Sequence, residues 1–263
     1  MHPVLLAFGP LRVFSYGVLI ALGGALSCLI WKAKREQMGL GGDDDFWLLV
    51  NVILFGGFLG GRGLFIIEYV PFRAADLWPA VFSLSRGFSV LGAFAGVIGG
   101  VWLLARSRRI PFLKLLDYVS LVAPFWHVFG RLGCLAAGCC FGRPTRLPWA
   151  VRFTNPVCLV DKALLGVPLH PTQLYEACGE AGIFLGLWFL ALPRVERGSL
   201  PFGTISGLYF AAYGLLRFGV EFFRGDTVRG VFGLTGGQVL SLVLLSAGLA
   251  LIAWARRKPC IQS

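Results

Sequence analysis

His127 to Pro144 reads HVFGRLGCLAAGCCFGRP, a stretch that begins inside an apolar run and ends in a loop. Arg131 lies about where this run would cross from lipid to water. A charged side chain at that depth is costly unless it faces the protein interior or a water-filled cavity, so an arginine there is a candidate functional residue. A second stretch, from Tyr213 to Asp226, reads YGLLRFGVEFFRGD and carries Arg217 in a similar setting. We therefore interpret the chain as a membrane enzyme built around these two arginine-bearing segments.

The composition is that of a membrane protein. The chain has 263 residues, of which 57% are hydrophobic and only 14% are charged. Soluble domains carry roughly 25% charged residues, so a soluble oxidoreductase is excluded. The net charge of +11 comes from Lys and Arg that cluster between the apolar runs. This is typical of the positive-inside pattern and of attraction to anionic headgroups, so we expect the lipid bilayer, and no nucleic acid, as a partner.

Seven apolar runs are long enough to cross a membrane, since a spanning helix needs roughly 20 apolar residues. We place them at about 13–32, 46–67, 87–105, 115–134, 171–193, 202–223 and 236–255. Basic clusters follow the first, third, fifth and seventh runs, which puts the N-terminus outside and the C-terminus in the cytoplasm. The N-terminal residues lack the pattern of a removable signal peptide.

The predicted fold class is therefore an all-α polytopic membrane protein with seven transmembrane helices. We expect residues 1–263 to form a single transmembrane domain with a periplasmic loop at about 135–170. That loop is expected to contain a short strand or an interfacial helix near 150–154. Glycine doublets inside the spans, at 56–57, 60–61 and 99–100, predict close helix packing. The alternative is a cavity that admits lipid tails beside the thinned helices.

Three side chains of the fourth run share one helix face, because His127, Arg131 and Cys134 fall at i, i+4 and i+7. We expect that face to point into the helix bundle, where His127 and Arg131 become candidate catalytic residues. The alternatives are that Arg131 extends to the outer interface and that His127 is a hydrogen-bonded core histidine.

The sixth run carries a matching polar face, with Tyr213, Arg217, Glu221 and Arg224 at successive fourth and third positions. Glu221 can pair with Arg217 or with Arg224 inside the helix, and such a pair can be purely structural. The other interpretation is an anion site, in which guanidiniums from two helices hold one phosphate. The presence of arginine on two helices favours the phosphate.

Arg131 and Arg217 are expected at similar depth, because both spans run from inside to outside and both arginines lie near the outer ends. Two unpaired arginines there would repel each other and would carry a large desolvation cost. A phosphodiester between them would relieve both effects. The sequence therefore predicts that the two arginines bind one phosphate together.

The turn into the fifth run reads HPTQLYE, from His170 to Glu176. Pro171 suits the first turn of a helix, where its missing N–H costs nothing. The polar side chains that follow would lie at the outer mouth of the bundle. They are either part of a substrate site or an ordinary capped helix start.

Three cysteines crowd the turns after the fourth run, namely Cys134, Cys139 and Cys140. Together with His127 they could form a soft-metal site, but C-x4-C-C is not a usual zinc spacing. A thiolate nucleophile beside Arg131 is a further alternative. We expect free thiols packed among glycines, and no metal or cofactor.

On these segments the chain resembles the phosphatidylglycerol–prolipoprotein diacylglyceryl transferase family of bacterial inner membranes. The resemblance covers nearly the whole chain, and the order and spacing of its motifs are specific. It is carried by Pro10–Tyr16, Gly60–Arg62, Gly130–Gly133, Gly142–Pro144, His170–Glu176, Arg217–Arg224 and Leu234–Gln238. It implies a multi-pass protein of the bacterial inner membrane.

A member of this family would move the diacylglyceryl group of phosphatidylglycerol to the lipobox cysteine of a prolipoprotein signal peptide. A thioether would form, and glycerol phosphate would be released. The resemblance implies that Arg131 and Arg217 are the two essential arginines, and that Tyr16, Tyr213, Glu221 and Gly142 match other site positions. From the polar pattern of the chain, the further candidate substrate-binding residues are His170, Gln173, Tyr175 and Arg224.

The chain departs from the family's pattern at three positions. Leu91 stands where the family carries a histidine often proposed as the base, Cys134 replaces an asparagine, and Cys139 replaces a glutamate. We hypothesise that His127 or Glu221 serves as the base instead. The departures leave three alternatives open: a divergent paralogue with another acceptor, a non-catalytic lipid-binding membrane protein, and a thiol-redox or metal-handling protein built on the cysteines.

Overall fold

The computed structural model describes residues 1–9, 11–70, 87–228, 230 and 233–257, and helices make up most of this part of the chain. Pro10, in the first motif, and Cys260 lie outside the described residues. The helices are α1 (Ser15–Ala33), α2 (Arg35–Met38), α3 (Asp43–Tyr69), α4 (Val90–Arg108), α5 (Phe112–Ala137), α6 (Thr172–Gly186), α7 (Leu192–Glu196), α8 (Thr204–Glu221) and α9 (Gly236–Arg256).

The remaining elements are short. The strands β1 (Val4–Phe8) and β2 (Leu11–Phe14) pair with each other, as do β3 (Val151–Arg152) and β4 (Pro168–Leu169), and both pairs are antiparallel. One turn of π-helix, Leu187–Ala191, continues α6 into α7. A single turn of 3-10 helix, Lys162–Leu164, lies between β3 and β4.

Within the described part of the chain, six helical segments are long and apolar enough to cross a membrane. They are Ser15–Ala33, Asp43–Tyr69, Val90–Arg108, Phe112–Ala137, Thr172–Glu196 and Gly236–Arg256. The prediction of a mostly helical, multi-pass membrane protein is therefore confirmed. The run predicted at about 202–223 forms α8, which is not one of the six. Arg217, Glu221 and two tyrosines lower its hydropathy.

One compact unit of the chain is Trp31–Leu116, in which α3 and α4 pack through glycines. A Cβ atom on Gly60 would lie 2.3 Å from the carbonyl oxygen of Gly92, and one on Gly96 would lie 2.0 Å from that of Gly56. The two helix backbones therefore touch, which only small residues allow. Of the predicted doublets, a packing role is confirmed for Gly56, Gly60 and Gly100, whereas a Cβ atom on Gly99 would meet nothing within 4 Å.

The other compact unit consists of Met1–Ile30 and Asp117–Ser263, and it contains every candidate site residue. Within it α1 packs on α5, where the indole N–H of Trp126 donates to the carbonyl of Ile20 at 2.9 Å. Gly23 permits this close approach, because a Cβ atom there would lie 2.7 Å from Cβ of Phe129.

Asp117 joins α5 to the start of α8. Its buried carboxylate accepts hydrogen bonds from the N–H of Gly203 at 2.7 Å, from the N–H of Ser206 at 2.8 Å and from the hydroxyl of Ser206 at 2.7 Å. A carboxylate at a helix N-terminus satisfies free backbone donors and is favoured by the helix dipole. Because Arg131 and Arg217 lie further along these two helices, this contact helps to set their relative position.

The segment between α5 and α6 folds into a small cap. β3 and β4 pair inside it, and Pro144 forms an isolated bridge with Leu169. The buried members of its hydrophobic core are Phe141, Phe153, Cys158, Val160 and Leu169. The short strand expected near 150–154 is confirmed. The cap fixes the chain that leaves α5 just after Arg131.

Replacing Asp117 with alanine should destabilise the unit that carries the candidate site. The change leaves buried backbone donors without a partner, which costs about 3 kcal/mol. We expect a lower Tm for the purified protein in detergent. The matched control is Asp44→Ala, which removes an exposed carboxylate from the first turn of α3. Equal Tm values for the two variants would contradict this role of Asp117.

Candidate active site

Glu176 lies between the two predicted arginines. Its Oε1 is 2.6 Å from Nη2 of Arg131, and its Oε2 is 3.6 Å from Nη1 of Arg217. The Glu176 side chain is 1% exposed, and those of Arg131 and Arg217 are 12% and 15% exposed. The structure thus brings the two arginines together, as expected. Glu176, which the sequence did not assign to them, supplies the buried counter-charge that both arginines require.

Glu221 supplies a second counter-charge to Arg217. Its Oε2 is 2.7 Å from Nη2 of Arg217, one turn earlier on α8. Its Oε1 accepts a hydrogen bond of 2.7 Å from the hydroxyl of Thr235, which also caps the start of α9. Of the two predicted partners of Glu221, the structure shows Arg217. Arg224 instead donates two hydrogen bonds to Asp226, at 2.7 and 2.8 Å.

Two arginine nitrogens of this group are buried without a hydrogen-bond partner, namely Nε of Arg131 and Nη1 of Arg217. A guanidinium carries five N–H donors in a fixed plane, so two carboxylates cannot satisfy both arginines. Each buried donor without a partner costs on the order of 1–3 kcal/mol. An anion with several oxygen atoms would satisfy these donors. The arrangement can therefore bind a phosphate group in addition to its two carboxylates.

His127 is oriented by another acidic residue of α6. Its Nδ1 lies 2.5 Å from Oε1 of Glu180, whose side chain is fully buried. The His127 ring also lies 5.3 Å from the ring of Tyr213, which stacks on Tyr209 at 6.0 Å. A carboxylate at Nδ1 fixes the orientation of an imidazole and leaves Nε2 for proton transfer. The structure therefore brings His127 and Tyr213 together.

Tyr16 packs against α5 at Gly133, two residues after Arg131. A Cβ atom on Gly133 would lie 2.9 Å from Cδ2 of Tyr16, so only glycine allows this approach. The Tyr16 side chain is 41% exposed. It is close enough to interact electrostatically with Arg131 and with the three neighbouring cysteines. Tyr16 therefore lies at the exposed edge of the arginine group.

Gly142 lies where three segments of the chain meet. Its N–H donates to the carbonyl of His170 at 3.2 Å, and it forms an isolated bridge with Arg224. A Cβ atom at this position would lie 2.5 Å from the carbonyl oxygen of His170 and 3.0 Å from that of Phe223. Both are backbone atoms, which cannot move aside as a flexible side chain can. Gly142 thus links the cap to the start of α6 and the end of α8.

His170 and Tyr175 form an aromatic group at the start of α6. The hydroxyl of Tyr175 is 3.2 Å from Nδ1 of His170 and accepts a hydrogen bond of 2.8 Å from the indole N–H of Trp149. Phe223 packs against both rings, at 5.1 Å from His170 and 5.9 Å from Tyr175. Trp149 is 57% exposed. The group therefore presents an aromatic surface on the outside of the cap.

Side chains in the first turn of α6 donate hydrogen bonds to the backbone of the segment that follows α5 and carries Cys139 and Cys140. The hydroxyl of Thr172 donates to the carbonyl of Cys140 at 2.7 Å, and the amide of Gln173 donates to the carbonyl of Cys139 at 2.7 Å. The other amide atom of Gln173, Oε1, is buried without a hydrogen-bond partner. Gln173 therefore fixes the backbone and keeps one acceptor available.

Three thiols lie together at the end of α5. The sulfur atoms of Cys134, Cys139 and Cys140 are all within 4.8 Å of one another. Hydrogen bonds from the Cys134 and Cys139 thiols hold the pKa of Cys140 well below its usual range. The guanidinium charges of Arg224 and Arg131 act in the same direction, because they stabilise a thiolate. The described cysteines are free, as expected.

Sequence reasoning missed the structural roles of Glu176, Glu180, Thr235 and Asp226. It placed Glu176 among polar groups at the outer mouth and did not assign it to the arginines. A signal for the first two was present, since two carboxylates four residues apart inside an apolar run are functional candidates. Thr235 lies in the Leu234–Gln238 motif, but that motif did not indicate its contact with Glu221, which arises from the packing of α8 on α9.

A family model described as prolipoprotein diacylglyceryl transferase matches residues 3–254 of this chain. The chain belongs to the prolipoprotein diacylglyceryl transferase family. A phosphatidylglycerol–prolipoprotein diacylglyceryl transferase of Clostridium tetani is 34% identical over 250 residues, which cover 95% of this chain and 96% of the relative.

Two further relatives carry the same name. That of Vibrio cholerae is 33% identical over 276 residues, covering 100% of this chain and 94% of the relative. That of Methylocella silvestris is 37% identical over 277 residues, covering 100% and 97%. The resemblance inferred from the motifs is confirmed, and the comparisons favour a transferase over the alternatives of another class.

The structure describes all three residues that the sequence suggested as departures from the family's pattern. Leu91 lies in the first turn of α4, in the unit Trp31–Leu116, and is 48% exposed. Cys134 and Cys139 belong to the thiol group beside Arg131.

In this member of the transferase family, the change Glu176→Gln should lower the stability of the protein while strengthening its binding of an anion. The amide keeps the shape of the side chain but removes the counter-charge from buried arginines, which costs about 3–5 kcal/mol. We expect a lower Tm in neutral detergent. We also expect phosphatidylglycerol to raise the Tm by more than it does in the wild type, because no carboxylate then competes for the guanidiniums.

The control for this prediction is Glu36→Gln, which neutralises an exposed carboxylate in α2. If Glu176→Gln shifts the Tm no further than Glu36→Gln, Glu176 is not the counter-charge that holds the two arginines together.

Proposed function

We propose that this protein transfers the diacylglyceryl group of phosphatidylglycerol to the lipobox cysteine thiol of a prolipoprotein signal peptide and releases glycerol phosphate. Its family supports this reaction. The observation that carries the proposal is the pair of neighbouring buried guanidiniums, in which Nε of Arg131 and Nη1 of Arg217 have no hydrogen-bond partner. The phosphodiester of the donor lipid is the anion that these nitrogens would bind.

The phosphodiester binds to both guanidiniums while Glu176 remains their common partner. Glu176 holds the two arginines in place before the lipid arrives, at 2.6 Å from Arg131 and 3.6 Å from Arg217. Little ordering of these long side chains is then needed on binding. The planar fork of arginine can give two parallel N–H···O bonds to a phosphate, which fixes its orientation.

In the transfer step the thiolate sulfur of the acceptor attacks the glycerol carbon that carries the phosphate. The C–S bond forms as the C–O bond breaks, and the electron pair of the broken bond stays on the oxygen of the departing glycerol phosphate. Negative charge therefore grows on the phosphate during the step. Arg131 and Arg217 stabilise this charge more strongly in the transition state than in the bound lipid, which lowers the barrier.

His127 fits the role of proton acceptor better than Glu221. Both oxygens of Glu221 are engaged, one by Arg217 and one by Thr235. Glu221 is thus a positioning residue for Arg217. Glu180 engages only Nδ1 of His127, so Nε2 can take the proton of the acceptor thiol.

The other candidate residues fall into three groups according to the part of the site that each one contacts. Tyr16 and Tyr213 lie beside the arginine group and would contact the lipid headgroup. The aromatic group of His170 and Tyr175, with the exposed Trp149, would contact the signal peptide. The residues that hold the connecting turns in place and add charge at the edge of the site are Gly142, Gln173 and Arg224.

We also propose a bacterial inner-membrane location with α8 as the seventh span, so that residues 1–263 form a single transmembrane domain. α8 has 18 residues and is therefore about 27 Å long. Its charged side chains are paired inside the protein, which removes much of the cost of a membrane position. With seven spans, the basic clusters put the N-terminus and the cap at about 135–170 in the periplasm and the C-terminus in the cytoplasm.

The reaction is tested with phosphatidylglycerol labelled in its headgroup glycerol and a synthetic lipobox peptide. We expect labelled glycerol phosphate to be released and the peptide to gain the mass of one diacylglyceryl group. A peptide with serine in place of the lipobox cysteine is the control and should remain unmodified. Purified protein that yields neither product would refute the proposed reaction.

The two arginines should not tolerate replacement by lysine, because the ammonium group lacks the planar fork. We expect Arg131→Lys and Arg217→Lys each to lower transfer by at least about 100-fold. Binding of phosphatidylglycerol should weaken while binding of a neutral lipid is unchanged. Arg146→Lys, at an exposed position of the cap, is the matched control. A double variant that binds phosphatidylglycerol like the wild type would show that no shared phosphate site exists.

The two candidate bases are separated by comparing transfer with lipid binding. His127→Ala should lower the rate of transfer while the binding of phosphatidylglycerol is unchanged, because His127 acts on the acceptor thiol. Glu221→Gln should lower the rate and weaken lipid binding together, since Glu221 acts through Arg217. Full activity of His127→Ala would exclude His127, and loss of transfer with unchanged lipid binding in Glu221→Gln would reverse the assignment.

The orientation is tested by epitope tags inserted in two loops. A tag beside Arg146 should be accessible from outside intact spheroplasts, whereas a tag beside Arg197 should be accessible only after lysis. The reverse pattern would show that the cap lies in the cytoplasm.

A further inference from the structure

The thiol group formed by Cys134, Cys139 and Cys140 has no role in the transfer described above. Its three sulfur atoms lie within 4.8 Å of one another. Three thiolates bound to one Zn²⁺ at about 2.3 Å lie about 3.8 Å from each other, so small rotations of the side chains would complete the geometry. Among the residues that the structure describes, no fourth histidine, cysteine or carboxylate belongs to this group. Three protein ligands with an open fourth position are typical of catalytic rather than structural zinc sites.

The backbone that carries these thiols is held in place. Cys140 has a φ of 59°, a left-handed conformation that is unusual for a residue with a side chain. Such a conformation persists only where the surroundings impose it, and here Thr172 holds the carbonyl of Cys140 and Gln173 holds that of Cys139. The N–H groups of Gly138 and Cys139 both donate to the carbonyl of Cys134, at 2.9 and 3.2 Å. The ligand set is therefore fixed before any ion binds.

The charges around the group suit a zinc trithiolate. Zn²⁺ with three thiolates carries a net charge of −1. Arg131 lies three residues before Cys134 on α5 and so is its neighbour along the helix, and its positive charge stabilises the complex. Cys139 and Cys140 are only half-buried, whereas Cys134 is 8% exposed. Cys139 and Cys140 are thus the members of the group that remain partly accessible from outside the protein.

We propose that Cys134, Cys139 and Cys140 bind one Zn²⁺ ion whose fourth position takes the thiol of the acceptor peptide. The inference rests on the proposed function, because that function supplies the acceptor thiol. The C-x4-C-C spacing did not predict zinc. The helix end after Cys134 and the left-handed turn at Cys140 bring the sulfur atoms together, and spacing alone does not encode those features.

The ion would generate the nucleophile of the transfer step. A thiol that coordinates zinc loses its proton at neutral pH, and the proton passes to Nε2 of His127 and then to water. The sulfur keeps its electron pair, attacks the glycerol carbon and displaces glycerol phosphate with the electron pair of the C–O bond. The product thioether is uncharged and binds zinc weakly, so the peptide leaves and the ion keeps its three protein ligands. The oxidation state of the metal does not change.

The metal site is tested on the full-length protein in lipid nanodiscs. After equilibration with Zn²⁺ and removal of the excess, we expect one zinc per chain. After replacement by Co²⁺ we expect the thiolate-to-cobalt charge-transfer band and the intense visible bands of a tetrahedral ion. Cys139→Ser and Cys140→Ser should each weaken zinc binding by at least 10-fold and remove the charge-transfer band. The double change Cys28→Ser, Cys178→Ser, outside the group, is the control and should alter neither.

Absence of metal in the wild type, or unchanged zinc affinity in Cys139→Ser, would overturn the site. The wild-type measurement does not depend on whether a variant folds, and the Tm of each variant identifies any that do not.

The fourth ligand is tested with the Co²⁺-loaded protein and the lipobox peptide. We expect the peptide to shift the visible bands and to strengthen the charge-transfer band, and we expect no change with the serine peptide. Equal spectra with the two peptides would overturn acceptor coordination. The rate of diacylglyceryl transfer is measured separately, before and after removal of zinc. If transfer continues at the full rate without zinc, the zinc step is overturned and the proposed function is unaffected. A cobalt shift without any glycerol phosphate release supports the site and refutes the proposed function.

Discussion

The carboxylate of Glu176 allows two arginines to lie side by side inside a helical membrane protein. Without it, Arg131 and Arg217 would repel each other where little water is present to screen them. This repulsion would oppose the packing of α5 against α8. With it, both guanidiniums are held while each keeps one buried nitrogen without a hydrogen-bond partner. The same interaction thus stabilises the bundle and leaves donors for a ligand.

This constraint makes the start of α6 the centre of the site. Thr172 and Gln173 hold the turn that follows α5, Glu176 holds the arginines, and Glu180 holds His127. All four side chains are buried, and they contact five different residues from the first turns of one helix. A rotation of α6 would therefore disturb the anion site, the proposed base and the thiol turn together. Their geometry depends on one helix orientation.

The sequence predicted the parts of the structure that depend on local pattern. Apolar runs identified the helices, and arginines within two of those runs identified the site, because hydropathy and the cost of burying charge are properties of single segments. The bridge by Glu176 could not be predicted, since spacing within a helix shows which residues share a face but not which faces meet. For the same reason Glu221 had two possible partners within its own helix, and only the path of the chain beyond α8 directs Arg224 to Asp226. The fold of the cap likewise depends on long-range contacts around Phe153 and Leu169.

The balance of charge in the site also bears on turnover. Arg131 and Arg217 are matched by Glu176 and Glu221, so the four side chains together carry no net charge. A phosphodiester brings one negative charge, whereas the glycerol phosphate released by the proposed reaction carries up to two. Arginines without carboxylates would bind this product more tightly than the lipid, and its release would then limit the rate. Because each carboxylate competes for the guanidiniums and repels the extra charge, the buried acids that stabilise the empty site also favour departure of the product. The arginines can therefore stabilise charge as it develops without retaining it afterwards.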